Sequence, residues 1–287
     1  MRERQVATVV TARGAVEYVS SGEGPAILAL HGAMGGHDQA WFLARTIGED
    51  GYRVIALSRP GYLGTPLAAG RTAEEQADLY AGVLDALGVP KAGVMAVSGG
   101  GPSAIAFALR HPGRCWGLVL VSTAGRRVEE PLPLAFHLLK VLARIPWFVE
   151  SRRRKVAADP QSAARRSISD PAILERTFAD PEVGPLFTEF LLHSFDRMPE
   201  RVAGTVNDVA VTRTAELPLE KISVPTLVVH GTRDRMLPFE KHGKALAERI
   251  PGAELVAVEG GEHVAIFTHR GMVRPRVVEF LRRHAPS

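Results

Sequence analysis

The sequence predicts an α/β fold in which a mostly parallel sheet carries helices on both of its faces. Short apolar runs alternate with segments of helical spacing, and the runs are continuously apolar, as in strands buried on both faces. One long proline-rich interval without strand signals interrupts this alternation. The 287 residues are 46% hydrophobic and 23% charged, which is typical of an ordinary globular protein.

The individual elements follow from local patterns. Two alternating segments, residues 5–11 and 15–20, flank Arg13-Gly14 and predict an antiparallel hairpin. Helical spacing at 38–49, 72–87, 100–110, 240–250 and 274–283 predicts the covering helices, the second of which opens with the capping box Thr72-Ala-Glu-Glu75. Together with the hairpin, six buried strands predict an eight-stranded sheet, and their apolar runs lie at 26–30, 53–57, 92–97, 117–121, 225–229 and 254–258.

The interval 125–219 is interpreted as a helical cap inserted into this domain. Its pattern is helical, and its prolines divide it into short helices because proline ends a helix and restricts the residue before it. The predicted organisation is a core of residues 1–124 and 220–287, with the cap lying over the C-terminal edge of the sheet. The cap is rich in apolar residues, among them Leu134, Phe136, Leu138, Leu139, Leu142, Trp147 and Phe148.

Ser98 lies between a buried strand and three glycines, in the segment Ala96-Val-Ser-Gly-Gly100. A strand that turns directly into a helix forces the corner residue into a strained backbone conformation, and the glycines at 99 and 100 relieve the crowding. The helix N-terminus that follows favours negative charge beside the hydroxyl. We interpret the segment as a nucleophile elbow with alanine at its usual first glycine, and Ser98 as the nucleophile.

A serine hydroxyl needs a base to take its proton, and His263 is the predicted base. It lies in Gly260-Gly-Glu-His263, between the last strand and the last helix. Asp234 follows strand 225–229 and is predicted to orient the imidazole. Both follow C-terminal strand ends, where ligands and catalytic groups of open α/β sheets gather. If Asp234 were not the acid, Asp208 would be the next carboxylate to test.

The loop after strand 26–30, His31-Gly-Ala-Met-Gly-Gly36, is predicted to complete an oxyanion hole. The expected donors are the N–H groups of Ala33 and Gly99, and the sequence leaves Met34 open as an alternative to Ala33. We expect His31 to buttress this loop rather than to act as a base. The residues predicted to contact substrate are His31, Gly32, Met34 and, from the cap, Trp147.

Taken together, these motifs resemble the α/β-hydrolase superfamily, of the capped type that includes esterases, lactonases and C–C bond hydrolases. The order Ser98, Asp234, His263 is that of hydrolases with this fold. The segment Ser58-Arg-Pro-Gly-Tyr62 resembles the family's Asp-x-Pro-Gly loop, with serine in place of aspartate. Haloalkane dehalogenases and epoxide hydrolases of this fold have an aspartate nucleophile, so Ser98 argues against both activities.

The resemblance implies a serine hydrolase that cleaves an ester, lactone or thioester of a small, partly apolar substrate, in the manner of a carboxylesterase. Two alternatives stay open. Arg126, Arg127 and Arg152 could hold a substrate carboxylate, which would suit a C–C hydrolase of ring-cleavage diketo acids. A non-catalytic ligand receptor could also retain the fold and its pocket.

Composition argues against several other classes of protein. The net charge is +4, and the basic clusters 152–155 and 165–166 lack interleaved aromatic residues, which argues against nucleic-acid binding. No apolar run reaches the length of about 18 residues that spans a bilayer, and no signal peptide is evident. We expect a cytoplasmic monomer or homodimer without metal or cofactor, and the single cysteine, Cys115, excludes an internal disulfide.

Overall fold

A computed structural model describes residues 5–48, 51–129, 138 and 140–286. Within them, one eight-stranded sheet has the order β1-β2-β4-β3-β5-β6-β7-β8. The strand β2 is antiparallel to both β1 and β4, and the remaining pairs are parallel, so the predicted mostly parallel sheet is confirmed. The strands are β1 (Ala7–Thr11), β2 (Gly14–Ser21), β3 (Ala26–Leu30), β4 (Arg53–Leu57), β5 (Ala92–Val97), β6 (Cys115–Val121), β7 (Thr226–Gly231) and β8 (Glu254–Val258).

Helices lie on both faces of the sheet, and along the chain they fall between and after its strands. They are α1 (His37–Ile47), α2 (Ala73–Ala86), α3 (Gly101–Arg110), α4 (Pro146–Ala158), α5 (Pro160–Ala164), α6 (Pro171–Ala179), α7 (Val183–His193), α8 (Val202–Thr214), α9 (Gly243–Arg249), α10 (Ala265–Thr268) and α11 (Arg270–His284). Short 3₁₀ turns connect several of them, including one at Ser98–Gly100 between β5 and α3.

The buried core consists of two layers because side chains of a strand alternate between the faces of the sheet. On β3, Leu28 and Leu30 belong to one apolar cluster, and Ile27 and Ala29 belong to the other. Residues of α2, α3 and α9 cover the first cluster, whereas α1 and α11 cover the second. The central strands therefore contact apolar side chains on both faces, which is why their sequences read as continuous apolar runs.

Several element boundaries differ from the sequence prediction, and three of the differences have a clear local description. The last helix begins at Arg270 rather than 274 and contains Pro275, which lacks the N–H of a helical hydrogen bond. The side chains of Val273, Val277 and Phe280 are buried along one face of the helix, and this burial compensates for the missing bond. Conversely, α9 is shorter than residues 240–250, because the N–H groups at 241 and 242 donate to the carbonyl of Pro238 in a turn. The strand predicted at 117–121 begins two residues earlier, at Cys115.

The interval 125–219 contains helices in its described part and no strand. Pro146, Pro160 and Pro171 each occupy a first helical position, where the fixed φ of proline suits the helix and its missing N–H is not needed. The predicted apolar residues Leu134, Phe136 and Leu139 lie outside the described residues. This interval contacts the rest of the chain where Phe187 and Phe190 of α7 pack against Phe267, with ring centroids 4.9 and 5.0 Å from it.

Candidate active site

Ser98 stands at the C-terminal end of β5 with a φ of 51°, in the left-handed region that a residue with a side chain adopts at a cost. Neighbouring glycines leave the space that this turn requires. A Cβ atom on Gly100 would lie 2.6 Å from the carbonyl oxygen of His31, and one on Gly99 would lie 2.8 Å from Oδ2 of Asp208. The hydroxyl of Thr123 donates to the Ser98 carbonyl at 2.5 Å and fastens the corner to the end of β6.

Three side chains that are distant in sequence meet at the C-terminal edge of the sheet. The Nε2 atom of His263 lies 3.1 Å from Oγ of Ser98, and its Nδ1 atom lies 2.8 Å from Oδ2 of Asp234. An ionised carboxylate only accepts hydrogen bonds, so Nδ1 carries the proton and Nε2 is left to accept from the serine hydroxyl. This tautomer is the one that can take the proton of Ser98.

The environment of Asp234 keeps its carboxylate ionised. Its side chain is fully buried, which by itself would raise the pKa, but hydrogen bonds from His230 and His263 outweigh burial and hold the pKa of Asp234 well below its ordinary value. Its second oxygen, Oδ1, accepts the N–H groups of Met236 at 2.9 Å and Leu237 at 3.0 Å. The carboxylate is therefore held on both oxygens, and its orientation toward His263 is determined by the loop after β7.

The loop after β3 lies directly against Ser98. A Cβ atom on Gly32 would be 3.0 Å from Cβ of Ser98, so only glycine allows this approach without displacement. The N–H of Met34 donates to Oγ1 of Thr205 at 2.9 Å and is thereby engaged within the fold. Among the described residues, hydrogen bonds outside helices and strands do not involve the N–H groups of Ala33 or Gly99. Ala33 is therefore preferred over Met34 as the loop's donor.

His31 is a buried support of this loop and is not in the wall of the cavity beside Ser98, so its predicted contact with substrate stays a prediction. Its Nδ1–H donates to the carbonyl of Gly32 at 2.6 Å, and its Nε2 accepts the N–H of Arg59 at 3.0 Å. The ring of Tyr62 meets it edge-on at 4.5 Å. Burial, followed by the charge of Arg59, lowers the pKa of His31 well below its ordinary value, which keeps the imidazole neutral.

A cavity of about 210 Å³ opens beside the Ser98 hydroxyl and contains Gly32, Ala33 and His263 in its wall. The rest of the wall is largely apolar and comes both from the interval 125–219 and from the residues outside it. It consists of Gln39, Leu43, Val97, Ser167, Phe190, Met236, Val264, Ile266 and Phe267. Sequence reasoning missed these residues because isolated apolar positions in helices and loops have the same pattern whether they line a cavity or fill a core.

Two of the other predicted substrate contacts lie away from this cavity. Trp147 is 73% exposed on α4 and packs against Phe148, because the start of that helix faces outward. Met34 packs instead against a small apolar cluster of the interval 125–219, formed by Ala143, Met198 and Val202. Neither residue is in the wall of the cavity beside Ser98, so their predicted substrate contacts stay predictions, whereas Gly32 is in that wall.

The arginines considered as carboxylate anchors also lie elsewhere. Arg126 and Arg127 line a separate surface depression beside the end of α8, and Arg152 lines another between α4 and α7. None of the three is in the wall of the Ser98 cavity. Asp208, the alternative acid, pairs with Arg59 and does not contact His263 in the described hydrogen bonds.

No cluster of three or more histidine, cysteine, aspartate or glutamate side chains in the described ranges is arranged to hold a metal ion. Over the same residues, no helix combines the length and apolarity that a membrane span requires.

Comparison with known proteins agrees with this architecture. A family model described as the alpha/beta hydrolase fold matches residues 25–270. The solved structure of an alpha/beta hydrolase fold protein from Nakamurella multipartita is 36% identical with a TM-score of 0.85, covering 97% of this chain and 99% of that chain. The uncharacterized hydrolase YcgS of Bacillus subtilis is 29% identical, covering 91% of this chain and 93% of its own.

A 2-hydroxy-6-oxononadienedioate/2-hydroxy-6-oxononatrienedioate hydrolase from Burkholderia vietnamiensis is 28% identical over 93% of this chain and 91% of its own length. The matched family model covers most of the chain, from the strand before the His31 loop to beyond His263. The chain therefore belongs to the α/β-hydrolase family.

Proposed function

We propose that this protein is a serine hydrolase that cleaves small esters, or the related lactones and thioesters, through an acyl-enzyme on Ser98. The observation that carries the proposal is the continuous hydrogen-bonded chain from Ser98 Oγ to His263 Nε2 at 3.1 Å and from His263 Nδ1 to Asp234 Oδ2 at 2.8 Å. It combines a nucleophile, a base in the competent tautomer and a buried acid that stabilises the imidazolium.

In the first half-reaction, Oγ of Ser98 attacks the substrate carbonyl carbon while its proton passes to Nε2 of His263. The carbonyl oxygen becomes an oxyanion, held by the N–H groups of Ala33 and Gly99. Losing one such donor typically costs about 3 kcal/mol of transition-state stabilisation. Collapse of the tetrahedral intermediate breaks the bond to the leaving alcohol, which takes the proton from His263.

In the second half-reaction, water takes the place of the alcohol. It gives a proton to His263 as its oxygen attacks the acyl carbon, and the same two N–H groups hold the oxyanion. Collapse breaks the bond to Oγ, the carboxylic acid leaves, and the proton returns to Ser98. No group other than the three side chains and the two N–H donors is needed.

The cavity supports a small apolar acyl group. Its volume of about 210 Å³ is below the range of roughly 300–1,000 Å³ usual for ligand pockets, and the described residues of its wall include no lysine or arginine. Leu43, Val97 and Phe267 offer apolar contact, and Gln39 and Ser167 offer polar groups at the side. We therefore propose short, uncharged acyl chains as substrates, and we retain residues 125–219 as a cap that supplies part of the wall.

The same proposal is tested by turnover and by labelling. Purified protein should release p-nitrophenol from p-nitrophenyl acetate and butyrate, and Ser98→Ala should lose this activity and covalent labelling by a fluorophosphonate. Equal turnover by Ser98→Ala would overturn the assignment. Binding of ester analogues with neither turnover nor labelling would instead support a non-catalytic receptor.

A C–C bond hydrolase is the second candidate, because relatives at 26–28% identity are named as hydrolases of 2-hydroxy-6-oxo dienoates or dienedioates. The cavity weakens it, since such substrates carry carboxylates and none of Arg126, Arg127 and Arg152 reaches the wall. A panel of p-nitrophenyl esters, lactones, thioesters and vinylogous diketo acids separates the two. A kcat/KM that is higher for the diketo acids than for every ester would favour C–C cleavage.

A further inference from the structure

Arg59 is a buried cation beside the proposed oxyanion hole, and the mechanism above does not use it. The side chain is 1% exposed and donates to two kinds of partner. Toward the loop after β3, its Nε donates to the carbonyl of His31 at 2.8 Å and Nη2 makes a longer contact, 3.4 Å, with the carbonyl of Gly32. Toward the cap, Nη1 and Nη2 donate to the two carboxylate oxygens of Asp208 at 2.8 and 2.5 Å.

The cap contributes Asp208 from the middle of α8, and this carboxylate reaches the nucleophile elbow. Its Oδ2 also accepts the hydroxyl of Tyr62 at 2.5 Å and lies 2.8 Å from where a Cβ atom on Gly99 would be. Burial by itself would lower the pKa of Arg59, but the charge of Asp208 outweighs it and raises that pKa, so the cation persists. The Arg59–Asp208 pair therefore forms a charged, bidentate bridge between helix α8 and the loop after β3.

The geometry of the peptide unit connects this bridge to catalysis. The carbonyl of Gly32 and the N–H of Ala33 belong to one planar unit, and no cis peptide occurs in the described chain. In a trans unit the two groups point in opposite directions, so donors that hold the Gly32 oxygen also determine where the Ala33 N–H points. His31 Nδ1 and Arg59 Nη2 hold that oxygen, and bonds to it polarise the N–H as well.

The docking of α8 on this loop extends beyond the ion pair. The N–H of Gly204 donates to the carbonyl of Gly61 at 2.8 Å, and Thr205 accepts the N–H of Met34 at 2.9 Å. At the start of the helix, Arg201 is buried and paired with Asp38 of α1. The first turns of α8 are thus attached to the core at several points around the loop.

We propose that the Arg59–Asp208 pair is a positioning device through which cap helix α8 sets the orientation of the Ala33 N–H in the oxyanion hole. This inference rests on the proposed function of that hole. Asp208 and Arg59 act here through the peptide of Gly32 and Ala33 and do not contact the substrate. The cap thereby contributes to transition-state stabilisation as well as to the cavity wall.

The test compares Asp208→Asn, which keeps the shape but removes the charge, with Arg59→Lys, which keeps the charge but loses the planar fork. For p-nitrophenyl acetate we expect kcat to fall about 100-fold in both, within the range for a lost oxyanion donor, with KM within about twofold of wild type. A trifluoromethyl ketone mimics the tetrahedral oxyanion, so its inhibition constant should rise by the same factor. The kcat of Tyr62→Phe should lie between that of these variants and that of wild type.

Two controls separate positioning from loss of stability and from failure of the proposed function. Phe280→Leu loosens the buried contact of α11 far from the loop, and it should lower the melting temperature without changing kcat. The amide resonance of Ala33 in a ¹⁵N–¹H spectrum should shift in Asp208→Asn but not in Phe280→Leu, a readout that needs no turnover. An unchanged Ala33 resonance in Asp208→Asn would overturn the inference. So would a KM and a ketone inhibition constant that rise by the same factor. If the wild-type protein is inactive but the Ala33 resonance still shifts in Asp208→Asn, only the proposed function is overturned.

Discussion

The hydroxyl of Ser58 donates to Oε1 of Glu17 at 3.1 Å, so strand β2 supplies a carboxylate to the loop after β4. In the related family motif an aspartate stands at position 58, and its replacement by serine leaves that loop without its own acid. Ser58 Oγ also accepts the N–H of His37 at 3.1 Å, and the imidazole of His37 lies 3.1 Å from both Ser58 and Glu17. Glu17, from a different strand, thus supplies a carboxylate beside position 58 and the start of α1.

This arrangement predicts a loss of stability in acid. Burial would raise the pKa of Glu17, but the hydrogen bond from His37 and further favourable contacts lower it from 4.5 to about 2. Because the pKa is lower in the folded protein, the carboxylate contributes stability above pH 4.5 that is lost as the pH falls toward 2. The contribution is on the order of 3 kcal/mol for a shift of this size.

Urea unfolding of wild type and Glu17→Gln between pH 6 and pH 3 measures this contribution. The difference in the free energy of unfolding should be largest at pH 6 and should shrink as the pH falls. The exposed Glu23 offers a matched control, and Glu23→Gln should leave the pH dependence of wild type unchanged. A Glu17→Gln protein with the full acid sensitivity of wild type would contradict the prediction.

The strained backbone at Ser98 predicts opposite effects on stability and activity. At a φ of 51° glycine is favoured over any residue with a side chain by about 1 kcal/mol, so Ser98→Gly should be more stable than Ser98→Ala by about that amount. Both lack the nucleophile and should be inactive on p-nitrophenyl acetate. Chemical denaturation of the two variants measures the difference, and a less stable glycine variant would argue against strain at this corner.

Replacing Asp234 by asparagine should reverse the tautomer of His263. The oxygen of the amide would keep the N–H groups of Met236 and Leu237, which turns its NH₂ group toward Nδ1. The proton of the ring would then sit on Nε2, where it blocks acceptance from Ser98. We expect kcat to fall on the order of ten-thousand-fold with little change in KM.

Steady-state kinetics of Asp234→Asn check this, with Asp85→Asn as the control because Asp85 pairs with Arg114 at the surface. The control should retain wild-type kcat. Near-normal activity of Asp234→Asn would remove Asp234 from the proposed mechanism.

Phe190 of α7 is predicted to limit the length of the acyl group. Its ring forms part of the cavity wall and packs against Phe187 and Phe267. Truncation to alanine opens space for further methylene groups, each of which contributes about 0.8 kcal/mol when buried. The ratio of kcat/KM for p-nitrophenyl octanoate to that for the acetate should therefore rise about tenfold or more.

Phe148→Ala is the matched control, since Phe148 is also a half-buried residue of the interval 125–219 but is not in the cavity wall. Its ratio should equal that of wild type. A ratio unchanged in Phe190→Ala would indicate that the acyl chain does not occupy this side of the cavity.

The local patterns of the sequence were enough to predict the sheet and the order of its strands along the chain. Buried parallel strands are continuously apolar, and turns carry glycine for a steric reason, so both signals can be read from a few adjacent residues. The same local patterns identified Ser98, Asp234 and His263, because each of them follows a predicted strand end at one edge of the sheet. Their separations of 3.1 and 2.8 Å then emerge from the structure.

What the sequence by itself determined is therefore the α/β architecture and the residue types available at the C-terminal edge of its sheet. The tertiary structure alone decided that Trp147 faces outward, that Phe190 and Ser167 line the cavity, and that Asp208 pairs with Arg59 across 149 positions. These outcomes depend on how the helices of residues 125–219 pack against the rest of the chain. Such packing joins scattered residues through nondirectional apolar burial and long-range ion pairs, which leave no periodic signature in the chain.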